Sequence, residues 1–80
     1  MKPFLTTQQV LHETFRSKER RDNNRRIRIL FEISPLPGQV IPRYRYEVVT
    51  NDGNPKVVGR TGRISAQTLS NESKWEKVSH

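Results

Sequence analysis

The chain has 80 residues, 31% of them hydrophobic and 29% charged, which is enough for one small domain and excludes a second hydrophobic core. Fifteen Lys and Arg residues oppose eight Asp and Glu, and the formal net charge of +7 favours acidic partners, above all nucleic acid. The absence of cysteine excludes disulfides and thiolate metal sites and predicts a reducing compartment. The sequence shows no signal peptide and no long apolar run, so we predict a cytoplasmic protein that does not enter a membrane.

The first fifteen residues are compatible with two local structures. Thr6 and Gln9 have the spacing of a helix capping box, and the apolar residues behind them fit one face of a helix. The alternative is a short strand over residues 8–12 that closes a small barrel. The sequence leaves residues 6–15 open between helix and strand.

The next segment, residues 16–26, is strongly basic and has no aliphatic or aromatic side chain to bury. Its charges are mostly arginine, and Asp and Asn residues that favour turns lie near its end. A segment of this composition cannot contribute to a hydrophobic core. We therefore predict a flexible basic loop at residues 16–26.

Two segments with a period of two predict the centre of an antiparallel sheet. A β-branched or aromatic side chain takes every second position of residues 26–33, starting at Ile27 and including Phe31. These side chains are predicted to be buried. Residues 43–50 alternate in the same way, with tyrosines and Val48 on one face and charged residues on the other.

The rest of the chain predicts turns, one helical turn and two further strands. Residues 51–55, Asn-Asp-Gly-Asn-Pro, are a signal for a primed hairpin turn, after which residues 56–66 should return antiparallel with a bulge at their glycines. Residues 65–69 fit a single helical turn. Residues 75–78 fit a last short strand, whose tryptophan, Trp75, would plug the core.

These elements predict a mainly β fold, namely a small, strongly bent antiparallel sheet or SH3-like barrel with a short N-terminal helix or strand. Its core would contain Val10, Leu11, Ile27, Ile29, Phe31, Ile33, Tyr46, Val48, Val58, Ile64, Leu69 and Trp75. A core of this size balances the entropy cost of ordering the chain only narrowly. Homodimerisation, or ordering of the basic loop on binding, is therefore compatible with the sequence.

Several short segments together form a recognisable pattern. They are residues 9–11, 16–17, 25–30, 46–49, 59–65 and 75–78, together with Leu69. The pattern resembles that of a group of small, uncharacterised basic proteins of actinobacteria and their phages, although Gln8 and Leu11 stand where that group has Gly and Trp. The resemblance implies a small β-barrel and a phage or mobile-element accessory protein, and it implies no catalytic residue.

The leading functional hypothesis is a nucleic-acid-binding protein that contacts phosphates through an Arg-rich surface. The candidate residues are Arg16, Lys18, Arg20, Arg21, Arg25, Arg26, Arg28, Arg43, Arg45, Arg60 and Arg63. Arginine suits this role because its guanidinium group makes bidentate contacts with phosphate and stacks on bases. The competing interpretation is a solvated basic segment that only keeps a small protein in solution.

Two finer interpretations concern the predicted strands. Tyr44 is a candidate for base stacking because it lies among arginines and nearer the strand end than Tyr46, although strand alternation favours a core position for both. Arg60 and Arg63 flank Gly62, where a β-bulge would aim both at one phosphate and the glycine would let the backbone approach. An edge strand protected by charge explains the same residues equally well.

The sequence predicts no enzymatic activity, no cofactor and no metal. The two histidines, His12 and His80, lack a third partner at a spacing that suits a metal site or a catalytic triad. The alternative function is a phage-type interaction module that docks on an acidic surface of a host protein and modulates it. A small ribonuclease-type toxin that works with Arg, Lys, Tyr and Glu is a third hypothesis.

Overall fold

The computed structural model describes residues 4–19 and 24–78. In chain order these residues form α1 (Thr7–Val10), β1 (Thr14–Ser17), β2 (Arg26–Ile33), β3 (Arg43–Thr50), a 3₁₀ turn (Pro55–Val57), β4 (Thr61–Ser65), α2 (Ala66–Leu69) and β5 (Trp75–Lys77). The strands form one sheet in the order β4-β3-β2-β1-β5, and every pairing is antiparallel. The predicted mainly β class, with an antiparallel sheet and a short N-terminal helix, is confirmed.

Helix α2 lies between the two edge strands of the sheet, β4 and β5, and contacts both. Ser65 is its N-cap and accepts a hydrogen bond from the backbone amide of Thr68. Ala66 and Leu69 are buried in the core. The predicted helical turn and final strand are therefore confirmed, whereas closure into an SH3-like barrel by strand pairing stays a prediction.

The N-terminal segment, which the sequence left open, forms a helix followed by a strand. Thr6 is the N-cap of α1, and its capping box with Gln9 is complete, with both reciprocal hydrogen bonds present. His12 then adopts a positive φ of 63°, at the turn that leads into β1. The alternative strand over residues 8–12 is wrong, because the strand that pairs with β2 begins at Thr14.

Both ends of the predicted basic loop over residues 16–26 belong to strands, and residues 20–23 at its centre lie outside the described residues. Strand β1 extends to Ser17, which is buried, and it pairs with β2 on one side and β5 on the other. Strand β2 begins at Arg26, which is the cross-strand partner of Arg16. Both arginines therefore belong to the sheet, because their backbones take part in its ladder.

The hydrophobic core lies on one face of the sheet, together with side chains of α1 and α2. Its buried members are Val10, Phe15, Ile27, Ile29, Tyr44, Val48, Ile64, Ala66 and Leu69. Leu11, Tyr46 and Trp75 are half-buried against it, as predicted core residues. Val58 does not reach it and is 44% exposed, because the chain forms a 3₁₀ turn where a strand was expected.

A β-bulge in β2 explains why Phe31 is exposed rather than buried. Ile29 is opposite Tyr46 on β3, but Phe31 is opposite the adjacent residue, Arg45, so Leu30 is an extra residue in β2. Because strand side chains alternate between faces, one extra residue exchanges the faces of those that follow. Phe31 is therefore 54% exposed, and its predicted burial is wrong.

The connection between β3 and β4 differs from the predicted hairpin turn. Oδ1 of Asn51 accepts hydrogen bonds from the backbone amides of Gly53 and Asn54, and the chain continues into the 3₁₀ turn. Within this loop, all of which the structure describes, positive φ occurs at Gly59 alone. The primed turn is wrong because it requires positive φ at its central residues, and β4 begins only at Thr61.

Candidate functional site

The face of the sheet opposite the core collects most of the described arginines. Strand alternation defines this outer face, since Ile27, Ile29, Tyr44, Val48 and Ile64 point into the core and the residues between them point away. The arginines at these outward positions are Arg16 on β1, Arg26 and Arg28 on β2, Arg43 and Arg45 on β3, and Arg63 on β4. These six residues form the arginine face.

The strand register places arginines of this face directly opposite one another. Arg45 on β3 is the partner of Arg63 on β4. Arg16 on β1 is the partner of Arg26 on β2. Like charges that are directly opposed destabilise a sheet. An anion held between the guanidinium groups would remove that repulsion.

Carboxylates neutralise little of the charge on the arginine face. Glu76 on β5 forms an ion pair with Arg16. Glu47 is the cross-strand partner of Arg28 on the outer face but is not within ion-pair distance of it. Within residues 4–19 and 24–78, the arginines of the face other than Arg16 form no ion pair. The face therefore presents a net positive charge to solvent.

The guanidinium groups of the arginine face differ in accessibility. Arg28 and Arg63 are exposed, whereas the other members are half-buried. The Nε atoms of Arg26 and Arg43 are buried and have no hydrogen-bond partner. Their side-chain stems therefore lie against the protein, and contacts of these two residues with a ligand would come from the terminal Nη atoms.

The remaining candidate cations lie outside the arginine face. Nζ of Lys18 donates a 2.6 Å hydrogen bond to a backbone carbonyl in the turn before β5. Arg25 precedes β2, and its Nε is also buried without a partner. Arg60 is exposed immediately before β4. Arg20 and Arg21 lie outside the described residues, so their predicted role is not tested by the structure.

Tyr44 is fully buried, so its predicted exposure and base stacking are wrong. The hydroxyl oxygen of Tyr44 lies 3.1 Å from Oγ1 of Thr7 on α1. The Thr7 hydroxyl in turn donates a 2.5 Å hydrogen bond to Oε1 of Glu32. Helix α1 thus covers this part of β3. A ring without a free face cannot stack on a base, and the core interpretation of Tyr44 is confirmed.

Gly62 accommodates a tyrosine ring and is not placed to admit a phosphate. A Cβ atom at this position would lie 2.5 Å from the hydroxyl oxygen of Tyr46 and 2.6 Å from its Cζ. Tyr46 is the cross-strand partner of Gly62, so the ring covers the glycine on the inner face. The bulge expected to aim Arg60 and Arg63 together is wrong, because Arg63 is in regular register with Arg45.

Phe31 is a member of the outer face that the sequence did not identify. It is the β2 partner of Arg45, which in turn pairs with Arg63, so one row of side chains crosses three strands. The three consecutive apolar residues Ile29, Leu30 and Phe31 in an otherwise alternating segment are the signal that could have indicated the bulge.

Metal-binding groups of side chains and helices that could span a membrane are both absent from the described residues. Among residues 4–19 and 24–78, no group of three or more His, Cys, Asp or Glu side chains is placed to hold a metal ion. No helix in the same part of the chain has the length and apolar character needed to cross a membrane.

No protein-family profile, curated protein or solved structure matches the chain.

Proposed function

We propose that this protein binds nucleic acid through the arginine face, mainly by contacts with phosphate groups, and that it is not an enzyme. The observation that carries this proposal is the directly opposed pair Arg45 and Arg63, which no described carboxylate neutralises. Guanidinium groups offer several donors in a planar arrangement that matches phosphate oxygens. A polyanion lying across β3 and β4 would neutralise both charges at once.

Phosphate contacts of this kind recognise charge and not base sequence. We therefore expect low sequence selectivity and an affinity that falls steeply with salt, since each neutralised phosphate releases bound counterions. Arg16 contributes least to this binding, because Glu76 already neutralises it. The central contacts are expected from Arg28, Arg45 and Arg63.

The biological setting belongs to the same proposal. A cytoplasmic location would bring the arginine face into contact with both RNA and DNA. A role as an accessory protein of a phage or mobile element is what the resemblance implies. An acidic surface of a host protein is the rival partner, and the experiment below distinguishes it from nucleic acid.

The proposal is tested by fluorescence anisotropy with labelled single-stranded RNA, single-stranded DNA and random duplex DNA at several salt concentrations. We expect binding at low salt. In an Arg45→Gln/Arg63→Gln variant the negative slope of log affinity against log salt should become shallower by about 1.4 to 1.8. The matched control is Lys56→Gln/Lys74→Gln, which removes the same charge at exposed positions off the face. This control should change the slope little.

Three outcomes of the binding measurements would contradict the proposal. The first is absence of binding at the lowest salt, and the second is an equal loss of slope in the lysine control. The third is selective retention of acidic proteins from nuclease-treated lysate without binding of nucleic acid, which would favour the host-protein alternative. In a parallel assay the RNA should stay intact, whereas cleavage that the arginine variant abolishes would establish the ribonuclease alternative.

A further inference from the structure

We infer that Phe31 stacks on an unpaired base and that single-stranded nucleic acid is the preferred ligand of the arginine face. This inference rests on the proposed function, which supplies the phosphate contacts around the ring. It assigns the base contact to a residue whose sequence pattern predicted only a role in the core.

Phe31 lies in the part of β2 that pairs with a described strand on one edge and not on the other. Backbone pairing between β1 and β2 ends with the hydrogen bonds that join His12 and Glu13 to Ile29. Beyond that point, β3 is the one strand of the described chain that pairs with β2. The ring of Phe31 is 54% exposed and does not belong to the core cluster. An aromatic ring on the outer face, beside an edge of β2 with which no described strand pairs, is accessible to a flat ligand.

Arginines lie beside Phe31 both across the strands and along them. Neighbouring strands are about 4.8 Å apart, so Arg45 and Arg63 follow Phe31 across the sheet in steps of that size. The adjacent rows contain Arg28 and Arg43 and lie about 7 Å away along the strands. A phosphate on either side of a base stacked on Phe31 would therefore meet a guanidinium group.

The chemistry of the row favours a base over other flat or apolar groups. On the outer face Phe31 lies beside Arg45, and the next row contains Arg43 with the apolar Ile33. This environment suits a ligand that combines an aromatic face with an attached anion. Bases in a duplex are already stacked within the helix and are accessible to such a ring only at its ends. Arginines alone, in contrast, would bind a duplex at least as well, because its charge density is higher. A preference for single strands over a duplex would therefore indicate that Phe31 contacts a base.

The experiment compares oligothymidine with an abasic strand of the same length, which has the same phosphates and no bases. The wild-type protein should bind oligothymidine more tightly. Phe31→Ala should lower the affinity for oligothymidine by about 5- to 140-fold and leave the affinity for the abasic strand unchanged. Phe31→Trp should retain the preference, because the indole ring also stacks.

The matched control is Phe4→Ala, which removes the ring of a residue that is 43% exposed and that lines a cavity together with Trp75, away from the arginine face. It should keep the preference for oligothymidine. Circular dichroism melting should give Phe31→Ala a transition close to that of the wild type, because Phe31 is more than half exposed and is not one of the buried core residues.

The possible failures can be distinguished from one another. Equal binding of the two strands by the wild type, or an equal loss on both strands in Phe31→Ala, would overturn the inference and leave the proposed function intact. A loss of preference in Phe4→Ala as large as that in Phe31→Ala would also overturn it. Absence of binding to either strand at low salt would overturn the proposed function, and the inference with it.

Discussion

The two faces of the sheet follow opposite physical rules. On the inner face the cross-strand partners attract one another through burial: Ile27 with Val48, Ile29 with Tyr46, and Tyr44 with Ile64. On the outer face the cross-strand partners Arg45 and Arg63 repel one another, whereas the opposed pair Arg16 and Arg26 is relieved by the ion pair of Arg16 with Glu76. Folding alone selects the first arrangement and disfavours the second. Stability and the proposed binding therefore depend on opposite sides of the same strands, so substitutions should separate them.

The largest expected effect is on the inner face. Tyr44→Ala should lower the free energy of unfolding by about 3–5 kcal/mol, because it removes a fully buried ring. For a domain of this size that is a large fraction of the total stability. Urea denaturation followed by circular dichroism measures the change.

Tyr44→Phe is the matched control for that substitution. It keeps the ring and removes the hydroxyl group that contacts Thr7, so it should cost only about 1 kcal/mol. If Tyr44→Ala were as stable as Tyr44→Phe, the ring would not be a core residue, and the assignment of the inner face would fail.

The sequence was sufficient to predict much of the fold because several local signals and the global fold agree. The Thr6 capping box, the alternation around Ile27 and the helical turn near Leu69 all coincide with elements of the structure. The prediction failed where one local signal, the Asp-Gly of the predicted hairpin turn, was followed by Pro55. In the loop after Asn51, the Asn51 side chain accepts hydrogen bonds from the amides of Gly53 and Asn54, and the chain enters a 3₁₀ turn at Pro55 instead of returning directly as a strand.

The candidate site was less predictable than the fold. The arginines of the strands could be assigned to one face from alternation, but their opposed pairing depends on register, which is a relation between distant segments. Arg16 illustrates this, because its place in β1 follows from pairing with both β2 and β5. Phe31 was misassigned because one inserted residue in β2 reverses every later position, and such an insertion leaves little trace in composition.

An intermediate effect is expected where the inner face meets a glycine. Gly62→Ala should lower the free energy of unfolding by about 1–3 kcal/mol, because the new methyl group would overlap the ring of Tyr46. In a Tyr46→Leu background most of this penalty should disappear, and a double-mutant cycle measures the interaction. Gly38→Ala is the control, since a Cβ there meets no atom and any cost comes from its φ of 82°. Its penalty should therefore be the same in both backgrounds, and an equal result for Gly62→Ala would contradict the packing of Tyr46 on this glycine.

The smallest effect is the one that separates the two faces most sharply, because stability and binding should change in opposite directions. Arg63→Gln should raise the free energy of unfolding by about 0.2–1 kcal/mol while it weakens nucleic-acid binding, since it relieves the repulsion with Arg45. Thermal melting at low salt measures the gain, which should shrink at high salt through screening.

Arg60→Gln removes the same charge next to the strand but outside an opposed pair, and it should change stability little. Arg45→Gln added to Arg63→Gln should give no second gain, because one substitution already removes the repulsion. If Arg63→Gln instead destabilised the fold, the opposed arginines would be part of what holds the sheet together, and the energetic reason to place a polyanion on this face would be lost.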